Sequence, residues 1–114
     1  MSSCDVISVH CPLNERTNNL ITYKELSLMK KSAYIINLGR GGIINEADLV
    51  QALNGNLLAG AGVDVFTKEP LPADSPYFGI KDMDKVILTP HIGWASQEAR
   101  KCLVDKIAEN IKNN

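Results

Sequence analysis

Four residues with reactive or charged side chains follow three short apolar runs of the sequence. Arg40 follows the first run, Asp64 and Glu69 follow the second, and His91 follows the third. If the runs are neighbouring parallel strands, these side chains meet at the carboxyl edge of one sheet, where open α/β folds bind their ligands. A guanidinium, two carboxylates and an imidazole in one crevice would form a candidate active site. The three runs are Ala33–Leu38, Ala59–Val63 and Val86–Thr89.

Each of these side chains has a chemical use at such an edge. The planar fork of Arg40 can pair bidentately with a carboxylate. The imidazole of His91 can give and take a proton near neutral pH, and a carboxylate such as Glu69 on one ring nitrogen would fix its tautomer. The alternatives are structural: an arginine in a glycine turn, a histidine satisfied by its surroundings, an ordinary loop carboxylate and, for Asp64, a carboxylate that ends a strand.

The rest of the sequence predicts strands that alternate with helices. Thr22 and Glu25 form a capping box, which predicts a helix that begins at Tyr23, and Asn45 is the predicted N-cap of a second helix that Gly55 ends. Strands alternating with helices favour an α/β fold with a mostly parallel sheet and right-handed crossovers. The predicted strands are Asp5–Val9, Ala33–Leu38, Ala59–Phe66 and Val86–Leu88, and the predicted helices are Tyr23–Lys30, Glu46–Leu53 and Gln97–Lys112 with Ser96 as N-cap.

Two connecting segments have a distinctive composition. Gly39, Gly41 and Gly42 surround Arg40, and they allow a tight turn with close approach of another backbone segment. Three prolines interrupt the segment 70–85, which excludes a long helix and predicts an irregular connection on the surface.

The overall composition excludes several classes of function. The chain has 114 residues, 45% of them apolar, with a formal net charge of −1, so one small domain is expected and there is no electrostatic argument for nucleic-acid or membrane partners. Cys4, Cys11 and Cys102 are few and widely spaced, which predicts reduced thiols in the cytoplasm and no metal site. No signal peptide or long apolar span is present.

Four sequence motifs together resemble those of the D-isomer-specific 2-hydroxyacid dehydrogenases, in the order and spacing of that family. The segment 94–100 is most similar to the glycerate dehydrogenase and hydroxypyruvate reductase branch. The resemblance implies hydride transfer between NAD and a small D-2-hydroxy acid or 2-keto acid. The motifs are His10-Cys11-Pro12-Leu13, Ile36-Asn37-Leu38-Gly39-Arg40-Gly41-Gly42, Gly62-Val63-Asp64-Val65-Phe66 with Glu69-Pro70, and Thr89-Pro90-His91-Ile92-Gly93.

The same resemblance implies a Rossmann-like, doubly wound parallel sheet that is only partly contained in this chain. Residues 1–95 correspond to the C-terminal half of an NAD-binding domain, and residues 96–114 to a helix that returns toward a substrate domain. The glycine-rich phosphate turn and the acidic residue that contacts the ribose do not occur in this sequence. We therefore expect a fragment of a longer protein, inactive by itself, and the choice between NAD and NADP stays open.

The family resemblance also implies roles for individual residues. Arg40 would bind the substrate carboxylate, His91 would transfer a proton, and Glu69 would be the partner of His91. Asp64 would accept hydrogen bonds from the nicotinamide carboxamide. The residues implied to contact the cofactor are His10, Pro12, Leu38, Gly39, Arg40, Asp64, His91, Gly93 and Trp94.

Three alternative functions stay open, and one of them is a naturally short binding protein. The family includes transcriptional corepressors, which keep the fold and the dinucleotide but act as modules that bind a protein partner. It also includes formate dehydrogenases, although their residues around the histidine differ from those found here. For the complete protein we expect a homodimer.

Overall fold

The computed structural model describes all residues 1–114 and contains one parallel β-sheet. Its strands are β1 (Val6–Val9), β2 (Tyr34–Asn37), β3 (Gly60–Val63) and β4 (Val86–Leu88). They lie in the order β1-β2-β3-β4, and every neighbouring pair is parallel. In register, Ile7, Ile35, Ala61 and Val86 lie side by side across the sheet. The predicted parallel α/β fold is confirmed.

Three α-helices begin at the capping residues that the sequence predicted. The side chain of Asn45 accepts a hydrogen bond from the N–H of Asp48 (3.0 Å), and Ser96 accepts one from Ala99 (3.1 Å). These bonds satisfy donors that the first turn of a helix leaves free. The helices are α1 (Tyr23–Leu26), α2 (Glu46–Asn54) and α3 (Gln97–Lys112), with short 3₁₀ helices at Pro76–Gly79 and Met83–Lys85.

The hydrophobic core covers only one face of the sheet. Leu49 and Leu53 of α2 pack in one cluster with Ile35 and Ala61 of the strands. The opposite face is open, and Ile87 in β4 is 70% exposed. The apolar residues of α2 therefore pack this helix directly against one face of the sheet.

Several predicted boundaries were wrong, and the starts of β1 and β3 and the end of α2 each differ from the prediction by one residue. Helix α1 ends at Leu26 instead of Lys30, because the N–H groups of Leu28 and Met29 bond to carbonyls three residues back and tighten the chain into turns. Met29 is still buried. Strand β2 lacks Ala33 and Leu38, the residues at the two ends of its predicted run. Strand β3 ends at Val63 instead of Phe66, because its pairing with β2 ends at Asn37, whose carbonyl accepts from the N–H of Asp64 (3.1 Å).

The proline-containing segment 70–85 was predicted to be irregular and superficial, and it does lie mostly at the surface, but Ser75, Tyr77 and Ile80 are buried. Tyr77 is only 2% exposed and stacks edge-on against Phe66, with ring centroids 5.6 Å apart. Burial raises the pKa of the Tyr77 phenol. Burying an aromatic ring of this size outweighs the preference of an irregular segment for the surface.

Helix α3 extends away from the core. None of its residues is buried, and Leu103, Ile107 and Ile111 form an exposed apolar stripe. None of the helices in this structure combines the length and hydropathy required to cross a lipid bilayer.

Candidate active site

The loop after β2 presents Arg40 at the carboxyl edge of the sheet. Buried Asn37 organises this loop, because its side-chain oxygen accepts from the N–H of Gly39 (3.1 Å) and its amide nitrogen donates to the carbonyl of Arg40 (3.1 Å). The guanidinium donates to the carbonyl of Gly39 (2.9 Å) and takes part in no salt bridge. Its remaining donors are therefore free to bind an anion.

Gly41 brings the loops after β2 and β3 into direct contact. A Cβ atom at this position would lie 1.9 Å from the carbonyl carbon of Phe66 and 2.3 Å from the nitrogen of Thr67. Only glycine allows this approach, which confirms the prediction of a close backbone contact. Gly42 has a positive φ of 93°, which completes the predicted turn.

His91 and Glu69 form a hydrogen-bonded pair beside this contact. His91 Nδ1 lies 2.9 Å from Glu69 Oε2, and the other carboxylate oxygen accepts from the N–H of Phe66 (3.1 Å). The hydrogen bond with His91, followed by that from Phe66, lowers the pKa of Glu69. An ionised Glu69 at Nδ1 favours the tautomer with its proton on Nδ1 and directs the chemistry to Nε2, which has no partner within the chain.

Asp64 lies at the end of β3 and is 3% exposed. Its Oδ1 accepts from the hydroxyl of Thr89 (2.6 Å) and the N–H of Ile92 (2.8 Å), and its Oδ2 accepts from the N–H of Gly93 (2.8 Å). Burial alone would raise the pKa of Asp64, but these three donors together outweigh it and lower the pKa. Because Oδ2 accepts a single bond, it keeps a position for one further donor.

The backbone around His91 has an uncommon conformation. His91 has a φ of 57° in the left-handed region, and its carbonyl accepts a hydrogen bond from the indole nitrogen of Trp94 (2.8 Å). Trp94 itself is 58% exposed, so it is not part of the hydrophobic core, and its ring is not enclosed by other side chains.

The predicted cofactor residues surround one region of the sheet edge. A cavity of about 450 Å³ is lined by seven of them, and an adjoining cavity of about 260 Å³ adds Pro12 and Gly39. Glu69 lines neither cavity and borders a third, more apolar one of about 520 Å³. The roles of these residues stay predictions. The seven residues of the first cavity are His10, Leu38, Arg40, Asp64, His91, Gly93 and Trp94.

Two residues that shape this site lie in the family motifs, but no role was predicted for them from the sequence. Asn37 supports the Arg40 loop, and Thr89 bonds to Asp64. The available signals were weak: a single amide in an apolar run, and a hydroxyl residue directly before a proline at the end of a strand. A further contact links the hydroxyl of Ser8 to Nε2 of His10 (2.6 Å).

Comparisons with known proteins agree with this geometry. The chain is 42% identical over 112 residues to a glycerate dehydrogenase from Methylorubrum extorquens, covering 98% of this chain and 35% of the relative. It is also 42% identical over 112 residues to a hydroxypyruvate reductase from Blautia hydrogenotrophica, covering 98% and 34%. An acyclic imino acid reductase solved with NADPH and D-Arg superimposes with a TM-score of 0.86 at 40% identity, covering 98% and 34%.

The chain spans about a third of the length of the curated relatives that it matches. Enzymatic activity must therefore be measured on the whole encoded protein, by which we mean this chain together with any residues encoded before or after it. Residues 1–93 match the family described as D-isomer specific 2-hydroxyacid dehydrogenase, NAD binding domain. The parallel sheet, the His91–Glu69 pair and this match agree, and the chain belongs to the D-isomer-specific 2-hydroxyacid dehydrogenase family.

Proposed function

We propose that the whole encoded protein transfers a hydride between a nicotinamide dinucleotide and carbon 2 of a small D-2-hydroxy acid or 2-keto acid, such as glycerate or hydroxypyruvate. The observation that carries this proposal is the 2.9 Å contact between His91 and Glu69 beside the cavity that Arg40 lines. An anion-binding group and an oriented proton donor are the two parts that the protein must supply for this reaction.

The residues at the sheet edge fit the nicotinamide part of the cofactor. A Cβ at Gly93 would lie 3.0 Å from Asp64 Oδ2, so the glycine keeps that oxygen accessible. Asp64 would accept from the carboxamide through the free position on Oδ2, with Leu38 and Trp94 beside the ring. When bound, the cofactor supplies the hydride in reduction and accepts it in oxidation. The choice of NAD is supported by the family description, and NADPH in the imino acid reductase leaves NADP open.

The chain's own residues would perform the remaining steps. Arg40 would hold the substrate carboxylate through its paired donors and thereby place the neighbouring carbonyl toward the cavity. In reduction, the carbonyl carbon gains the hydride, and the His91 ring, protonated on both nitrogens, gives its Nε2 proton to the carbonyl oxygen, which becomes the hydroxyl. The neutral ring keeps its proton on Nδ1. In oxidation, Nε2 takes that proton back. Glu69 acts through His91, because its carboxylate on Nδ1 fixes the tautomer and the orientation of the ring.

The test is the rate of NADH oxidation by the whole encoded protein with hydroxypyruvate, glyoxylate and pyruvate, and with NADPH in place of NADH. We expect turnover of at least one 2-keto acid. His91→Gln should lower kcat by ~10²–10⁴-fold, the usual effect of losing a general acid, and leave the Kd of NADH within a few fold. Equal loss of cofactor binding would mean that His91 is structural.

The alternative functions have less support. No observation favours a corepressor, and the relatives named above are a dehydrogenase and reductases. A formate dehydrogenase is tested by the same assay run with formate and NAD.

We further propose that residues 1–95 are the C-terminal half of the cofactor domain, that residues 96–114 lead to a substrate domain, and that the complete protein is a homodimer. The exposed stripe of α3 supports a partner surface beyond this chain. The three unpaired cysteines support a reducing compartment, which we propose is the cytoplasm.

A further inference from the structure

The segment that carries His91 is held in place by one buried carboxylate. His91 has a positive φ of 57°, a conformation that is unfavourable for a residue with a side chain and persists only where its surroundings impose it. The next two N–H groups, of Ile92 and Gly93, both point to the carboxylate of Asp64, each at 2.8 Å. Two successive N–H groups on one anion form a backbone nest, which here fixes the turn.

A single side chain fixes that carboxylate in turn. The hydroxyl of Thr89 donates to Asp64 Oδ1 at 2.6 Å and is the one side-chain donor that Asp64 has. Thr89 is itself anchored, because its N–H bonds to the carbonyl of Val63 (3.0 Å) and its carbonyl accepts from the N–H of His91 (3.0 Å). Thr89 therefore links the end of β3, through Val63 and Asp64, to the turn that carries His91.

We propose that Thr89 is a positioning residue, whose hydroxyl orients the Asp64 carboxylate so that the turn directs the His91 ring onto Glu69. The direction of the Cα–Cβ bond of His91 follows from its backbone conformation, and the 2.9 Å contact with Glu69 depends on that direction. Thr89 lines the more apolar cavity beside Glu69 and is absent from the one lined by Arg40 and His91. Its effect on the reaction is therefore indirect. This inference rests on the proposed function for its kinetic part.

The test compares Thr89→Val, which keeps the shape and removes the donor, with Thr89→Ser, which keeps the donor. In the whole encoded protein, Thr89→Val should lower kcat by ~10–100-fold, the scale expected for losing a hydrogen bond to a charged group or displacing a reacting group by ~1 Å. The KM for the keto acid should change by less than ~3-fold by comparison. Thr89→Ser should recover most of the loss.

A matched control removes the same kind of bond elsewhere. The hydroxyl of Thr22 donates to the carboxylate of Glu25 at 2.5 Å, and Thr22 lines none of the cavities at the edge. Thr22→Val should lower Tm but leave kcat and its pH profile unchanged, whereas Thr89→Val should change the pH profile of kcat. Equal kinetic effects of the two variants, or equal losses in Thr89→Val and Thr89→Ser, would overturn the proposal.

A readout without turnover separates this inference from the proposed function. In protein labelled with ¹⁵N-histidine, the Nδ1 proton of His91 should be detected in the wild type and in Thr89→Ser, and should exchange rapidly with water in Thr89→Val. If Thr89→Val does not fold, Thr89→Ala removes the same donor and places no methyl group where the hydroxyl was. A wild type without activity but with this spectral pattern contradicts only the proposed function. An unchanged Nδ1 proton in the variant contradicts the role of Thr89.

Discussion

Replacing Gly41 by alanine tests how the two loops of the site are held together. The added Cβ would lie 1.9 Å from the carbonyl carbon and 2.1 Å from the carbonyl oxygen of Phe66. Because these atoms belong to the backbone, no side chain can rotate away to make room. The variant can fold only if the loop that carries Arg40 separates from the segment that leads to Glu69.

The size of that separation follows from the distances. Raising the closest contact from 1.9 Å to 3.0 Å, below which real Cβ contacts essentially never occur, needs a shift of 3.0 − 1.9 = 1.1 Å. A displacement of about 1 Å between groups that act on one substrate can lower the rate by ~100-fold. Overpacking of this kind typically costs ~1–3 kcal/mol of folding free energy. We expect Gly41→Ala to show both effects, with the larger part of the kinetic loss in KM, because Arg40 is the residue displaced.

The matched control is Gly79→Ala, whose Cβ would meet only Val50 at the ordinary contact distance of 3.8 Å. The free energy of unfolding is measured by urea titration with circular dichroism, and kcat and KM are measured with hydroxypyruvate in the whole encoded protein. If Gly41→Ala is as stable as Gly79→Ala to within ~0.5 kcal/mol, the range of neutral surface changes, and also keeps its kcat/KM, the argument from close approach is refuted.

Three further predictions concern other parts of the molecule. Arg40→Lys should raise KM and lower kcat/KM by ~10-fold or more, because a point charge replaces a bidentate fork; unchanged kinetics would exclude Arg40 as the substrate anchor. The pKa of Glu69 is lowered in the folded protein, so its stabilising effect is complete above its ordinary pKa of 4.5 and is lost as the pH falls through the lowered pKa. The difference in Tm between wild type and Glu69→Gln should therefore shrink between pH 6 and pH 3. A constant difference would contradict the pairing. The 114-residue chain alone should self-associate at ~10–100 μM in light scattering, because β1 is an open edge and α3 exposes its stripe; a monodisperse monomer with a cooperative melt would disprove this.

Much of this molecule follows from short-range signals in the sequence. Asn45 and Ser96 cap helices by accepting N–H groups three residues further on, so the information lies within one turn of chain. Apolar runs followed by Arg40 and His91 placed these residues at one edge, because parallel strands end on the same side of a sheet. The second run placed Asp64 and Glu69 at the same edge, and the family motifs added the roles that are expected of all four residues.

Other features depend on partners that are distant in the sequence. The bond from Thr89 to Asp64 spans 25 residues, and the contact of Gly41 with Phe66 also joins residues 25 positions apart. Local patterns did not reveal that Asp64 would accept hydrogen bonds from residues near His91. They also did not reveal that Tyr77, in the proline-containing segment, would be buried in the core. Which donor meets a carboxylate, and which ring fills a gap, depends on the groups that folding brings together. Only the tertiary structure decided these contacts, because hydrogen bonding and packing depend on distance in space and not on separation along the chain.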